Sequence, residues 1–382
     1  MPNEDKATRY HRLQRRASVA STIAAASALA LLQITGASAL VRGSIEHVTS
    51  GGFLLTVAGY VTVLTLFVAV LQFPLAFYQG VVLERRYGLS TQSVAKWLRD
   101  YLKADAIGLI FGVGAALIVW SLLRWSPERW WLAAAAVFIA IAVLLAQLAP
   151  VLLLPLFYDF KPLDRAALVE RLMSLSERAG ARVFGVFEWR LSDRTRKANA
   201  ALTGIGRTRR ILLSDTLLAE HSDDEIEVIL AHELAHHVHH DLWSGIALEA
   251  ALITVGFYLA DRVLSLFQGS FGVVGKADVA ALPLLVLTAG GVSLALVPIA
   301  NAISRTHERR ADRYALEMTG NVDAFTAAMK RLAVQNLAEE QPSRLVEVLF
   351  HTHPPMRARI AAAHEWARAR PATQATSPRD RR

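Results

Sequence analysis

Two histidines four residues apart, with a glutamate directly after the first, form the clearest chemical pattern in the chain. They lie in the segment His232–His236, whose sequence is HELAH. Residues four apart share one face of a helix, about 6 Å apart at Cβ, so both imidazoles can reach one ion. Neutral imidazole is a good ligand for Zn²⁺, and Glu233 is close enough to act on a water at the metal. The motif therefore predicts a zinc site with His232 and His236 as ligands.

A catalytic zinc takes three protein ligands and leaves one position for water, so the third ligand must come from elsewhere. Glu308 and Asp312 are again four apart on a predicted helix. Glu308 can supply the ligand, while Asp312 can accept the free N–H of a ligating histidine. His307 is an alternative ligand if that helix is rotated.

Both patterns also have a simpler interpretation. The segment around Glu308 can be an ordinary charged helix, and the first motif can be a histidine-rich helix end that favours the negative end of the helix dipole. The three histidines that follow the motif are predicted to be solvated or to contact lipid headgroups: His237, His239 and His240.

The predicted zinc helix has a start signal and neighbours that can hold it. Ser222–Glu225 has the form of a capping box, which opens a helix that should run through Ala231–His237. Upstream, periodicity and residue type predict a helix, a strand and the two arms of a hairpin: Arg165–Ala179, Val183–Trp189, and Ala200–Gly204 with Arg210–Ser214. The sequence thus predicts a small α+β domain in which a short hairpin lies beside the zinc helix.

The composition places much of the chain in lipid. Of its 382 residues 53% are hydrophobic and 19% are charged, with a mean hydropathy of +0.33; this excludes disorder and argues against an ordinary soluble globule. The chain has no cysteine, which excludes disulfides, cysteine nucleophiles and thiolate metal sites. Its net charge of +8 fits basic cytoplasmic loops and anionic membrane lipid, and we expect no nucleic-acid partner.

Six apolar stretches are long enough to cross a bilayer as helices, which takes about 20 residues. They are Ala17–Val41, Phe53–Tyr78, Ala106–Leu123, Trp130–Phe157, Leu242–Phe267 and Val279–Ser304. Glu249 is the one charge well inside a stretch, and it can either face a polar cavity or reach the membrane interface. The sequence therefore predicts a polytopic, mainly α-helical membrane protein.

Basic residues set the orientation of these spans. They are concentrated before the first span and between the second and third, whereas the alternate loops hold few. The positive-inside rule then places both termini and residues 159–241 in the cytoplasm. The first stretch also resembles a signal peptide, but its uncharged run is longer than the usual 7–15 residues, which favours a retained span.

The predicted domain boundaries follow from these segments. They divide the chain into a basic N-terminal segment, a four-span membrane domain, a cytoplasmic part with the zinc helix, two further spans, the rest of the zinc domain and a disordered tail: residues 1–16, 17–157, 158–241, 242–304, 305–370 and 371–382.

Taken together, these residues resemble the integral-membrane zinc metallopeptidases that include the type I CAAX prenyl proteases. The hallmark of that family is a His-Glu-x-x-His helix followed, after further spans, by Glu-x-x-x-Asp, here Glu308 and Asp312. Other similar segments occur in the same order along nearly all of Gln72–Ile360: Pro74–Gln92, Pro155–Leu163, Lys197–Gly204, Ile211–Leu218 and His353–Ile360.

The resemblance implies one Zn²⁺ per chain in a helical membrane chamber, near the cytoplasmic side. It implies that the strand bearing Asn199 and Ala200 pairs with the substrate backbone. It further implies that His353 or Arg359 helps to hold the tetrahedral intermediate of peptide hydrolysis, while Glu233 activates the attacking water.

Departures from the family pattern leave the substrate open. The larger eukaryotic members have seven spans where six are predicted here, and they carry Gly and Trp where this chain has Ala235 and His237. The resemblance implies a zinc metalloendopeptidase that acts on a peptide or protein, prenylated or not. The Ala- and Arg-rich composition indicates a bacterial origin, so we expect a multi-pass protein of the bacterial cell (inner) membrane with its active site towards the cytoplasm.

Three other functions remain as alternatives. One is a heat-shock-type quality-control metalloprotease without prenyl specificity, whose members generally have two spans before the zinc helix, against four here. Another is an intramembrane-cleaving zinc protease, which takes its third ligand from a late Asp-Gly motif that these spans lack. A third, of a different class, is a catalytically degenerate transporter or lipid-binding scaffold, which would carry no stoichiometric zinc.

Overall fold

The structure is a computed structural model that describes residues 5–204 and 209–369. The helices, in chain order, are α1 Lys6–Ile34, α2 Ala37–Val48, α3 Phe53–Phe77, α4 Glu84–Arg86, α5 Val94–Trp125, α6 Trp130–Leu152, α7 Leu154–Phe157, α8 Ala166–Arg178, α9 Asp215–Glu220, α10 Asp223–Val238, α11 Asp241–Phe267, α12 Leu282–Thr319, α13 Val322–Gln335, α14 Arg344–Phe350 and α15 Met356–Ala369. A π-helical segment, Tyr78–Leu83, joins α3 to α4. The strands are β1 Phe160–Pro162, β2 Gly185–Trp189, β3 Ala200–Thr203 and β4 Arg210–Ser214. The predicted tail 371–382 and most of the predicted hairpin turn lie outside the described residues.

The chain forms two compact units. The mixed unit comprises Met1–Arg9, Pro150–Leu242 and Pro298–Arg382, and the helical unit comprises Tyr10–Ala149 and Trp243–Val297. Among the described residues, six helical stretches are long and apolar enough to cross a membrane: Lys6–Ile34, Phe53–Arg86, Val94–Trp125, Trp130–Phe157, Asp241–Phe267 and Val279–Thr319. The prediction of a mainly helical, polytopic fold is therefore confirmed, with six candidate spans among the described residues.

The helical unit exposes apolar side chains that a soluble protein would bury. Ile110 is 71% exposed and Leu266 is 73% exposed, which is costly in water and natural in lipid. Its interior includes the buried ring of Trp130, whose indole N–H donates to a carboxylate oxygen of Asp261 at 2.8 Å. Lys276 donates to the same carboxylate at 2.9 Å. The buried charge is thus paired, as a low-dielectric interior requires.

Several helical stretches differ from the predicted span bounds, and two of these differences have clear local reasons. The first helix ends at Ile34 because Gly36 adopts a left-handed conformation, φ 73°, and a new helix starts at Ala37. The last helix does not end at Ser304 but continues to Thr319. Hydropathy marks where apolar sequence stops, whereas the helix continues because its polar residues have partners in the mixed unit.

The sheet of the mixed unit has the order β1-β2-β4-β3. β2 pairs with β4 in parallel, β1 pairs with β2 antiparallel, and β3 pairs with β4 antiparallel. The predicted hairpin is therefore confirmed, and its β3 arm is an edge strand. β1 was not predicted, because a three-residue strand that ends in proline has no periodic signal and fits an edge position.

The core of the mixed unit fixes the helix that carries the HELAH segment. α10 packs against α8, α13 and β3, and it contributes fully buried side chains such as Ile226 and Leu234. Phe325 of α13 and Leu172 of α8 are buried in the same cluster. One face of α10 is therefore held by close packing, which leaves its histidine face in a fixed orientation.

Candidate active site

The start of α10 has the predicted capping box. The Ser222 hydroxyl accepts from the Glu225 amide at 3.3 Å, and a Glu225 carboxylate oxygen accepts from the Ser222 amide at 2.8 Å. The box satisfies two amides that would otherwise lack partners at the helix start. His232 and His236 follow on one face of this helix, with ring centroids 5.0 Å apart.

A third residue, from α12, completes a converging set. One Glu308 carboxylate oxygen lies 3.3 Å from Nε2 of His232, and the other lies 3.4 Å from Nε2 of His236. These three side chains form the one group of His, Cys, Asp or Glu residues, within the described part of the chain, whose ligand atoms lie within 4.8 Å of one another. The structure thus brings together the three ligands predicted from sequence.

The spacing of these atoms fits one tetrahedral ion. Two ligands at about 2.0–2.1 Å from one ion, at the tetrahedral angle, lie about 3.3–3.4 Å apart. Glu308 Oε2 is buried and has no hydrogen-bond partner among the described residues, although it faces His232. A buried carboxylate oxygen left without a donor is unfavourable unless a cation satisfies it. The donor set, two imidazoles and a carboxylate, is one that zinc prefers.

Behind His232 lies a chain of buried polar contacts. Its Nδ1 lies 3.0 Å from Oδ1 of Asp312. Arg359 of α15 donates to both oxygens of that carboxylate, at 2.8 Å from Nε and 2.5 Å from Nη2. A carboxylate behind a ligating histidine fixes the tautomer that leaves the Nε2 lone pair free for the metal. Asp312 therefore lies directly behind His232, and Arg359 contacts Asp312 rather than open space.

Behind His236 lies a second carboxylate, which the sequence analysis missed. His236 Nδ1 lies 2.8 Å from Oδ2 of Asp241, the first residue of α11. Arg310 contacts Asp241 from α12. His307, the alternative ligand, has its Nδ1 3.8 Å from Oδ1 of Asp241 and is absent from the converging group. The charge at Asp241 was visible in the sequence, but nothing local indicated that the chain turns back there.

The electrostatics of the site favour acid–base chemistry. Burial raises the pKa of the Glu233 carboxyl, although His232 and His236 oppose the shift by favouring its charged form. A raised carboxyl pKa brings a general base closer to neutral pH. Burial disfavours charge on His232, but the neighbouring carboxylates of Asp312 and Glu308 favour it more strongly and raise the pKa of His232 to about 9.

His353 approaches the same carboxylate from a loop. Its Nε2 lies 3.4 Å from Oε1 of Glu308, and its side chain is 59% exposed. Its Nδ1 lies 2.8 Å from the Thr352 hydroxyl. When that hydroxyl donates, Nε2 carries the proton and is the donor on the exposed side.

Two buried polar residues of α12 hold the loop that carries His353. The Arg305 guanidinium donates to the backbone carbonyls of Glu347 and His351, at 3.0 and 2.8 Å. The Asn301 side chain donates to the carbonyl of Val348 at 3.1 Å. These carbonyls lie in the last turn of α14 and at its C-cap, His351, so the two side chains fix the point at which the loop leaves the helix. Sequence reasoning missed both roles, since neither residue signals its partner.

Asn199 and Ala200 lie where the edge strand begins. The Asn199 carbonyl accepts from the Ser214 amide of β4 at 2.9 Å. By the alternation of antiparallel pairing, the N–H and C=O of Ala200 point away from β4, towards the free edge. Two residues before Ala200, the Asn336 side-chain amide bonds to both the N–H and the C=O of Ala198. The outward edge available for pairing therefore begins at Ala200.

Comparison with known proteins places this geometry in a family. Residues 162–367 match peptidase family M48, and residues 3–159 match a domain described as "CAAX prenyl protease N-terminal, five membrane helices". The chain belongs to peptidase family M48, and it is a multi-pass membrane metalloprotease related to the CAAX prenyl proteases. In its first 159 residues, four helical stretches of the described chain are long and apolar enough to span a membrane.

Similar proteins come from bacteria and fungi. The chain is 33% identical over 339 residues to "Uncharacterized metalloprotease YhfN" of Bacillus subtilis, covering 88% of this chain and 79% of that protein. It is 27% identical over 319 residues to "CAAX prenyl protease 1" of Saccharomyces cerevisiae, covering 76% and 68%. The crystal structure of S. mikatae Ste24p has the same fold, with a TM-score of 0.84 at 22% identity, covering 94% of this chain and 88% of that one.

Proposed function

We propose that the chain is a zinc metalloendopeptidase in which His232, His236 and Glu308 hold Zn²⁺ and Glu233 is the general base. The observation that supports this most directly is that the two oxygens of the Glu308 carboxylate lie 3.3 and 3.4 Å from the Nε2 atoms of His232 and His236. No ordinary ion pair requires both oxygens of one buried carboxylate to face two imidazoles. Membership of peptidase family M48 supports the same chemistry.

The ion supplies a Lewis acid that lowers the pKa of a bound water towards about 7 and polarises the substrate carbonyl. Glu233 accepts the proton of the attacking water and then passes it to the amine of the departing product. Its raised pKa suits both steps, because a base near neutral pH can also act as an acid. Asp312 and Arg359 keep His232 in the tautomer that presents Nε2.

We assign stabilisation of the oxyanion to His353 rather than Arg359. His353 is exposed beside Glu308, and its Nδ1 contact with Thr352 leaves Nε2 as a donor. The Arg359 side chain is 6% exposed and is engaged by Asp312 through two nitrogens. A donor aimed at developing negative charge is worth about 10²–10³ in kcat.

The substrate backbone would pair with the free edge of β3. An extended peptide added to a sheet edge gains main-chain hydrogen bonds without regard to its side chains. Ala200 supplies the first outward N–H and C=O, and Asn199 anchors the strand to β4. The Asn336 amide occupies the adjoining edge at Ala198, so it would limit how far a peptide can pair in that direction.

As the specific substrate we propose a prenylated C-terminal peptide. Relatives that carry the name CAAX prenyl protease 1 support this choice. The loop charges support a cytoplasmic position for the site in a bacterial cell membrane. The Glu249 side chain is exposed on α11.

The test is turnover of a farnesylated CAAX peptide beside an unprenylated copy, with and without a chelator. Glu233→Gln should keep one zinc per chain and lose turnover by at least about 10²-fold, the usual worth of a general base. Glu220→Gln, at an exposed glutamate of α9, is the matched control and should retain full activity. Full turnover by Glu233→Gln, or turnover that survives complete zinc removal, would overturn the proposal. Equal rates on the two peptides would remove the prenyl requirement alone.

A further inference from the structure

The two ligating histidines stand in front of matching sets of side chains. Behind His232, Asp312 is held by Arg359. Behind His236, Asp241 is held by Arg310. In the first set, Asp312 belongs to the Glu-x-x-x-Asp motif, whereas the second set comes from the first residue of α11 and from a residue two positions after Glu308. The second set is the unexpected one.

We infer that Asp241 is a positioning residue for the metal ligand His236, and that Arg310 holds Asp241 in place. The inference rests on the proposed function, because it takes His236 as a ligand of zinc.

The two ring nitrogens of His236 each lie close to a different carboxylate, on opposite sides of the ring. Nδ1 lies 2.8 Å from Oδ2 of Asp241, and Nε2 lies 3.4 Å from Oε1 of Glu308. The Asp241 carboxylate accepts a hydrogen bond from Nδ1, so the Nε2 lone pair is directed at the metal position. An outer carboxylate of this kind fixes the ring orientation and raises the basicity of the ligand, and its loss typically costs 10–100-fold in metal affinity.

A tight turn brings Asp241 back to His236. α10 ends with His239 as its C-cap, and His240 then adopts the left-handed conformation, φ 57°. This conformation is uncommon outside glycine, although histidine is among the residues enriched there. The chain reverses at His240, and α11 starts directly at Asp241. An acidic residue is also favoured at that position by the helix dipole.

Each oxygen of the Asp241 carboxylate lies next to a side chain that can donate a hydrogen bond or carry positive charge. Oδ2 faces His236, while Oδ1 is contacted by Nη2 of Arg310 and lies 3.8 Å from Nδ1 of His307. The Asp241 side chain is 9% exposed, so a carboxylate placed there needs such partners. Arg310 is 42% exposed and can adjust with little cost. We therefore expect Asp241 to contribute more to zinc affinity than Arg310 does.

The experiment measures the zinc dissociation constant of the full-length protein in detergent, by competition with a chromophoric chelator. Asp241→Ala should weaken zinc binding about 10–100-fold, Arg310→Gln should weaken it less, and Asp241→Glu should recover part of the loss. The double variant Asp241→Ala/Arg310→Gln should be no weaker than Asp241→Ala alone. His240→Gly, which keeps the turn conformation, is the control and should bind zinc as the unsubstituted protein does.

A second measurement separates positioning from general stability. In excess chelator, the unfolding midpoint of Asp241→Ala should fall only slightly, because the helix-start and Arg310 contacts are lost, whereas the zinc-dependent rise of the midpoint should shrink markedly. Unchanged zinc affinity in Asp241→Ala, or an equal drop in midpoint with and without zinc, would overturn the inference and leave the proposed function intact. Failure of the unsubstituted protein to bind zinc would instead overturn both.

Discussion

Removing the Arg305 side chain should disable the His353 loop and leave the metal ligands in place. Arg305 is 8% exposed, and its guanidinium donates to the carbonyls of Glu347 and His351. Hydrogen bonds to a charged group contribute about 1.5–3 kcal/mol each, so the loop stands to lose about 3–6 kcal/mol. α14 has no buried residue of its own, so the loss should appear as local opening rather than global unfolding.

The loss in kcat caused by opening the loop cannot exceed the loss caused by removing His353 itself. If His353 supplies the oxyanion donor, its removal costs about 10²–10³ in kcat. Arg305→Ala should approach that loss, because a detached loop presents the donor only in a small fraction of molecules. The double variant Arg305→Ala/His353→Ala should then fall no further than His353→Ala alone, since both changes remove one interaction. Arg305→Lys, which keeps a cation but fewer donors, should be intermediate.

The assay is steady-state turnover of a quenched-fluorescence peptide, with zinc content measured on the same samples. Arg313→Ala is the matched control, because Arg313 is exposed on the same helix. We expect zinc content of one per chain in all variants. Multiplicative losses in the double variant, or loss of zinc from Arg305→Ala, would show that Arg305 does not act through the His353 loop.

Two further predictions concern stability. Gly80→Ala should destabilise the protein by about 1–3 kcal/mol, the usual cost of overpacking, because an added Cβ would lie 2.4 Å from Nε1 of Trp97. Gly108→Ala, where no heavy atom lies within 4 Å of the added carbon, is the control, and equal unfolding midpoints for the two variants would contradict the reasoning. Burial disfavours charge on Asp215, but hydrogen bonds from the Ser192 hydroxyl and three backbone amides outweigh it and hold the pKa of Asp215 below its usual range. The stabilisation from this carboxylate is present above the unfolded-state pKa of about 3.9 and is lost as pH falls through the folded-state pKa, so Asp215→Asn should lower the unfolding midpoint at pH 7 and have a shrinking effect towards acid. A gap between the two proteins that stays constant with pH would refute this sign.

The parts of the site that could be predicted from sequence are those set by short-range spacing. The capping box at Ser222 and the pair His232 and His236 depend on residues three and four apart, where helix geometry alone decides which side chains meet. Glu308 and Asp312 share that spacing, but their partner in the fold was identified by chemistry and resemblance, not by periodicity. The spans were found because apolar length is a strong signal, while their ends depended on Gly36 and on tertiary contacts.

The parts that could not be predicted depend on pairs far apart in the chain. Asp241 meets His236 only because the turn at His240 takes an uncommon conformation, and no rule makes a histidine there adopt it. Arg305 reaches carbonyls 42 and 46 residues later, and backbone acceptors leave no mark in the sequence. His307 could not be excluded as a ligand from the sequence. Which of His307 and Glu308 faces the two histidines depends on how α12 is rotated about its axis.

That rotation is fixed by a single buried polar stripe. Asn301, Arg305, Glu308 and Asp312 follow one another at spacings of four, three and four residues, so they lie on one face of α12, and all four are buried. The first two hold the His353 loop, the third faces both histidines, and the fourth holds His232. Buried polar groups are costly without partners, so any rotation of α12 that carries Glu308 away from the histidines also breaks the other three sets of contacts. The proposed ligand Glu308, Asp312 behind His232, and the loop of the proposed oxyanion donor His353 are thereby kept in register by α12, which begins as the last candidate membrane span.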